Sequence, residues 1–252
     1  MDTNDRNEMS PAERRRKAAA RKRRQEELKR RKRRRAVLTV VGILAAVAVI
    51  GVVIFAVKNY MGGGSSAKIS AKGGTYVIAL DPGHGGEDTG MSSASIEEKE
   101  ADLRICAKLK IMLESQGYQV VMTREDDSRV SKEERVAAAN ASDADLLVSV
   151  HCNYSETDAE VNGVRVNYSD GDKESRSLAE NIDAMLVKET GAKDQGSKTC
   201  DFSIVNDTDM PAVLVETGYL SNETEGSNLA DDVYQNSVAK GIAKGVLMTL
   251  NR

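Results

Sequence analysis

Along the chain, short β-rich runs alternate with stretches whose apolar residues recur every three or four positions. The segments 75–81 (TYVIALD), 118–123 (YQVVMT), 145–151 (DLLVSVH), 163–168 (GVRVNY) and 211–217 (PAVLVET) read as strands. Residues 98–117 read as a helix with Leu103, Cys106, Leu109 and Leu113 on one face and Gly117 as its C-cap. Further helices are expected at 131–142, opened by Ser131 and Glu134, at 173–190, and near 231–250, where Val238, Ile242 and Val246 align. Strands separated by helices predict an α/β domain around a largely parallel sheet. Residues 75–252 are enough for one such core, with no internal repeat and no second domain.

The pattern before residue 75 is different. Ala36–Val57 is a run of 22 residues without a charge. As a helix rising about 1.5 Å per residue it reaches roughly 33 Å, enough to cross a hydrocarbon core of about 30 Å. Residues 1–35 carry 16 Lys/Arg and 6 Asp/Glu, whereas the remaining chain holds 20 basic and 33 acidic residues, so the net charge of −3 conceals two regions of opposite sign. Basic residues before the apolar run predict a cytoplasmic N-terminus and an exterior location for residues 58–252. A cleaved signal peptide has a shorter apolar core, typically about 7–15 residues, so an uncleaved transmembrane anchor is expected. A tail that abuts a membrane span argues against a nucleic-acid partner. Ser10, Pro11 and Glu13 form a capping box that would start a helix along the tail near anionic lipid, the alternative being a solvated tail that only sets topology. Residues 58–74 read as a flexible Gly/Ser linker. Three cysteines, Cys106, Cys152 and Cys200, make neither a full set of pairs nor a disulfide framework.

Candidate chemistry begins in residues 78–90, IALDPGHGGEDTG. The glycine-rich turn lacks both the Lys-Ser/Thr of a phosphate-binding loop and the spacing of a dinucleotide fingerprint, and Glu87 and Asp88 would repel a phosphate. His84 in that turn is one of only two histidines; the other, His151, ends a strand, and Glu216 lies near the end of another. Ligands in open α/β sheets bind beyond the carboxyl ends of strands. Two histidines and a carboxylate can hold zinc with a position open for water. Glu97, Glu98 and Glu100 all compete for the carboxylate role, although acids in a first helical turn also complement the helix dipole. Glu216 closes an apolar run, where a carboxylate would be costly to bury without a partner.

The segments IALDPGHGG, EEKEADL, ADLLVSVHCN and PAVLVETGYLSN, in that order, resemble the zinc-dependent N-acetylmuramoyl-L-alanine amidases of the type-3 amidase family over about residues 75–250. The resemblance implies zinc held by His84, Glu98 and His151, with Glu216 as general acid/base, and a six-stranded mixed sheet flanked by helices. It further implies a peptidoglycan substrate, cut at the amide between N-acetylmuramic acid and L-alanine at the outer face of the cell membrane. A zinc peptidase acting within the stem peptide and a catalytically silent wall-binding protein are the alternatives. Two positions stand apart. Gln195-Gly196-Ser197-Lys198 occupies a segment that in the family commonly begins with Arg, which puts any substrate contact by that Arg in doubt. Cys152 follows His151, so strand alternation turns it to the opposite face.

Protease added to intact protoplasts is expected to remove residues 58–252 and leave the basic tail protected. A soluble mature form beginning between residues 50 and 75 would show instead that the apolar run is a cleaved signal.

Overall fold

A computed structural model describes residues 76–251; the basic tail, the apolar run 36–57 and the linker lie outside them. Among the described residues no helix is long and apolar enough to cross a membrane. Six strands, β1 (Val77–Pro82), β2 (Gln119–Met122), β3 (Leu146–Asn153), β4 (Val164–Ser169), β5 (Asp194–Cys200) and β6 (Ala212–Tyr219), form one sheet in the order β2-β1-β3-β6-β4-β5. The first four in that order are parallel to their neighbours, and β4 pairs antiparallel with β6 while β5 follows β4 in parallel, so the sheet is mixed.

Alternation along the strands produces two unequal layers. Ile78, Leu80, Val148, Val150, Val213, Val215 and Val166 face a large core built with α1 (Glu98–Ser115), α3 (Lys173–Thr190) and α6 (Asp232–Leu250). Ala79, Leu147, Ala212 and Leu214 face a smaller core covered by α2 (Lys132–Asn140) and the single turn α4 (Ser203–Asn206). A further helix, α5 (Glu223–Ala230), precedes α6. In the thick layer Gly245 lets α6 meet α3 backbone to backbone: a β-carbon there would lie 2.4 Å from Ile182 Cα.

Local signals explain most helix boundaries. Ser131 and Glu134 make the expected reciprocal capping box at α2. Asp172 caps α3, which ends at Gly191 in the left-handed region (φ 69°). α1 stops at Ser115 with Gln116 as the cap, so Gly117, expected as the cap, lies one residue beyond it at φ 91°. The buried stripe of α1 is also rotated from the expected one. It runs through Glu98, Asp102, Ile105, Cys106, Leu109 and Leu113, and Leu103 is only half-buried at its edge. Two acids at the start of the helix therefore point inward, towards the carboxyl ends of β1 and β3.

Candidate metal centre and active site

β1 ends at Pro82, and the chain turns through Gly83, His84, Gly85 and Gly86. His84 itself adopts φ 54°, a conformation costly for a residue with a side chain. Two buried arginines hold it there. Arg124 donates from Nε to Pro82 O (3.1 Å) and from Nη2 to Gly83 O (2.5 Å) and Lys99 O (2.8 Å). Arg135 donates from Nη1 to Pro82 O (2.5 Å) and to Asp81 Oδ1 (2.8 Å), and from Nη2 to His84 O. Asp81 in turn accepts from Thr123 Oγ1 (2.5 Å) and Ser149 Oγ (2.8 Å). The far side of the turn is closed by Lys99, which donates to Gly86 O (2.8 Å) and Asp127 Oδ2 (2.9 Å).

The glycines answer a steric demand as well as a backbone one. A β-carbon on Gly83 would come within 2.3 Å of His151 Cε1 and 2.7 Å of Asp102 Oδ2, and one on Gly90 within 2.5 Å of Glu98 Oε2 and 2.7 Å of His84 Cδ2. Gly83 and Gly90 are thus required by side chains of the centre, whereas Gly85 and Gly86, both at positive φ, are required by the backbone turn and by the close approach of Ser128 O (2.1 Å from a β-carbon on Gly85) and Arg129 N (3.0 Å from one on Gly86).

Within this frame the two histidines and Glu98 meet. Glu98 Oε1 lies 3.2 Å from His84 Nε2 and 3.1 Å from His151 Nδ1, and the three donor atoms all lie within 4.8 Å of one another. A tetrahedral zinc ion with ligands at about 2.0–2.1 Å separates neighbouring donors by roughly 3.3–3.4 Å, so the donor types and the two distances from Glu98 fit that ion. Glu98 is fixed by the N–H groups of Met91 on Oε2 (2.8 Å) and Cys152 on Oε1 (3.1 Å). Burial pushes its carboxyl up, but His151 and His84 overturn that and bring its pKa to about 2. His84 Nδ1 is paired with Asp88 Oδ1 at 2.9 Å. Burial pulls this imidazole down, yet Glu98 and Asp88 together hold it above its ordinary value. The competing acids point elsewhere: Glu97 is half-exposed against Lys99, and Glu100 is half-exposed in an i,i+4 pair with Arg104.

Glu216 stands beside this cluster. It is in register with His151 across the β3–β6 pair, on the face covered by the thin layer, and its side chain is 12 % exposed. Its Oε2 accepts from Asn153 Nδ2 and lies 3.6 Å from Arg165 Nη1. Burial raises its pKa beyond what Arg165, the Asn167 and Asn153 amides and His151 pull back. A cleft of about 690 Å³ opens over His84, His151, Leu214 and Glu216, between the first turn of α2 and Phe202 and Ile204 on the other wall.

Cys152 takes no part in the donor cluster; its Sγ packs 3.6 Å from both Asp102 Oδ1 and Thr217 Oγ1. Asp102 is fully buried, and burial followed by the charge of Glu98 raises its pKa well above the usual carboxylate range. Gln195 donates from Nε2 to Asn162 O (2.7 Å), so it secures the approach to β4, and the guanidinium beside Glu216 comes from Arg165 on that neighbouring strand. Asn153 closes the segment ADLLVSVHCN but is given no role by it, and Arg124, Arg135 and Arg165 lie in no motif that singles them out in the sequence. Their partners, all more than ten residues distant except within the local turns, identify them only in three dimensions.

A family model described as N-acetylmuramoyl-L-alanine amidase matches residues 78–248. The N-acetylmuramoyl-L-alanine amidase LytC of Bacillus subtilis (strain 168) is 34% identical over 172 residues, which cover 68% of this chain and 34% of LytC. The uncharacterized protein YqiI of the same organism is 34% identical over 169 residues, covering 67% of this chain and 82% of YqiI. The crystal structure of N-acetylmuramoyl-L-alanine amidase from Clostridium difficile 630 superposes with a TM-score of 0.68 at 34% identity, covering 70% of this chain and 97% of that one.

Removing Arg135 would leave Asp81 as an unpaired buried carboxylate and free two carbonyls of the turn. Arg135→Ala is therefore expected to cost about 3–5 kcal/mol, the usual penalty for breaking one side of a buried pair. Urea unfolding of the two proteins checks it; a loss under 1 kcal/mol would show that the clamp is dispensable.

Proposed function

The chain belongs to the N-acetylmuramoyl-L-alanine amidase family, and on that premise we propose that it hydrolyses the amide between N-acetylmuramic acid and the L-alanine of the peptidoglycan stem peptide, with zinc as cofactor. The observation that carries this reading is the convergence of His84 Nε2, Glu98 Oε1 and His151 Nδ1, with both histidines and Glu216 lining one cleft. The three donors would hold zinc with a position left open. Zinc bound there supplies Lewis acidity, activating water and polarising the scissile carbonyl.

The protein's own groups then divide the remaining work. Asp88 fixes the tautomer of His84 by accepting from Nδ1, which turns the lone pair of Nε2 towards the centre. Glu216 takes a proton from the attacking water and returns it to the departing amine, and its raised pKa brings it nearer the neutral range where both transfers are easy. Phe202 and Ile204 offer an apolar wall and the start of α2 a polar one, which suits a substrate in which methyl groups alternate with amides. The proposal also places residues 58–252 outside the cell, tethered by residues 36–57. Its support is the uncharged 22-residue run and the basic tail before it.

The test is to incubate the protein with peptidoglycan after chelation, with and without restored zinc, and to identify the products. Intact stem peptides with a free L-alanine amine are expected only with zinc. Fragments cut within the stem would assign a peptidase, and no release at full zinc occupancy would assign a silent binding protein. In the same assay His84→Ala and His151→Ala are expected to lose the metal. Glu216→Gln should keep metal and melting temperature but lower kcat by about 10²–10⁴-fold, the usual contribution of a general acid/base. Zinc ligation needs a neutral imidazole, so affinity should weaken as the pH falls through the raised pKa of His84. Full zinc occupancy in both histidine variants would refute the ligand assignment.

A further inference from the structure

We propose that Asn153 and Arg165 are positioning residues that hold one oxygen of Glu216, Oε2, and thereby assign the proton transfers to the other, Oε1. The inference rests on the reading of Glu216 as general acid/base. Both contacts fall on the same atom: Asn153 Nδ2 donates to Oε2, and Arg165 Nη1 lies 3.6 Å from it; Asn167 on β4 also acts on this carboxyl, but its Nδ2 makes no hydrogen bond.

The orientation of the Asn153 amide is determined by its other end. Its Oδ1 accepts from Tyr154 N at 2.7 Å, so the NH₂ group must face Glu216. An irregularity in the sheet brings it there. His151 is in register with Glu216, but two residues later Asn153 is in register with Tyr219, so β6 carries one extra residue. Gly218, at φ 143°, lies within this bulge. The shift leaves Asn153 on the same face as His151 and close enough to reach the carboxylate.

Arg165 arrives from the other side. It is directly opposite Glu216 in the antiparallel β4–β6 pair, and the neighbouring pair Val166–Val215, fully buried, fixes that register. Arg124 commits its donors to backbone carbonyls and Arg135 to carbonyls and Asp81, whereas Arg165 has a buried Nε without a partner and directs its charge at Glu216. A guanidinium placed this way is a poor structural brace. It is a good means of keeping a half-buried carboxylate in one rotamer while a proton comes and goes. Stabilising a buried acid would be served equally by contacts shared between both oxygens.

The test is a mutant cycle on the full-length chain, with kcat and KM measured on a soluble muramoyl peptide at zinc saturation and one fixed pH. Asn153→Ala and Arg165→Met are each expected to lower kcat by about 10–100-fold, as second-sphere partners do, with KM little changed. Arg165→Lys should recover part of the loss. In a Glu216→Gln background the same substitutions should change kcat by less than about twofold, because residues that act only through one group are not additive. Losses that multiply in that background would overturn the proposal, as would unchanged kcat in both single variants. If Asn153→Ala fails to fold, Asn153→Ser takes its place in the same cycle and is read by the same criterion. Near-normal turnover by Glu216→Gln alone would sink the acid/base reading itself, a result separate from either outcome of the cycle.

Discussion

The catalytic edge of the sheet depends on one buried ion pair. Asp81 is 1 % exposed and Arg135 6 %, so both charges have been withdrawn from water at a cost of several kcal/mol each. Such a pair is tolerable only when its remaining hydrogen-bonding capacity is met. Here Thr123 and Ser149 complete Asp81, and the carbonyls of Pro82 and His84 occupy Arg135. The satisfaction of the pair and the shape of the turn are thus a single condition. His84 can stay at φ 54° because the carbonyls that would relax are the same ones that satisfy the remaining donors of Arg135.

Two glutamates beside each other in space have been driven in opposite directions by their surroundings. Both are removed from water, which favours the neutral acid. Around Glu98 two imidazoles and two backbone N–H groups outweigh that preference, and the group stays ionised down to a pKa of about 2. Around Glu216 the Arg165 guanidinium, the Asn167 and Asn153 amides and His151 do not, and the group remains raised. Environments that separate the titration of like groups are how one site obtains a permanent anion and an exchangeable proton from the same side chain.

Much of this was legible in the sequence, and the exceptions have physical causes. Strands rich in Val, Ile and Leu and helices with Ser or Asp caps announce themselves because the same side chains that define the pattern are buried. β5, with the sequence DQGSKTC, has no apolar alternation because it lies at the sheet edge with most side chains partly in solvent; only the family resemblance implied a sixth strand. α5 is missed for a different reason: Asn222 and Glu225 mark its start, but it is short and contains a glycine. The ambiguity among Glu97, Glu98 and Glu100 came from drawing the α1 stripe through Leu103. Drawn through Ile105 it continues back to Asp102 and Glu98, so helical phase alone selects the inward acid. Arg124 and Arg135 were beyond reach, since a cation destined for the interior is indistinguishable from a surface one until its distant acceptors are known.

The reversal of β4 has a consequence for how this fold can change. In a sheet whose strands all run one way, the neighbours of a strand's last residues are other strand ends, where chain continues into loops of uncertain length. Because β4 runs against β6, the neighbour of Glu216 is instead the second residue of a strand, held from both sides by Val164 and Val166 in the core. Its backbone is as rigid as the sheet, while its side chain is free to be anything that fits. A single codon at position 165 can therefore alter the surroundings of that carboxylate by charge, size or polarity without lengthening a loop or moving a helix. The site carries a built-in adjustment point whose setting is independent of the scaffold that supports it.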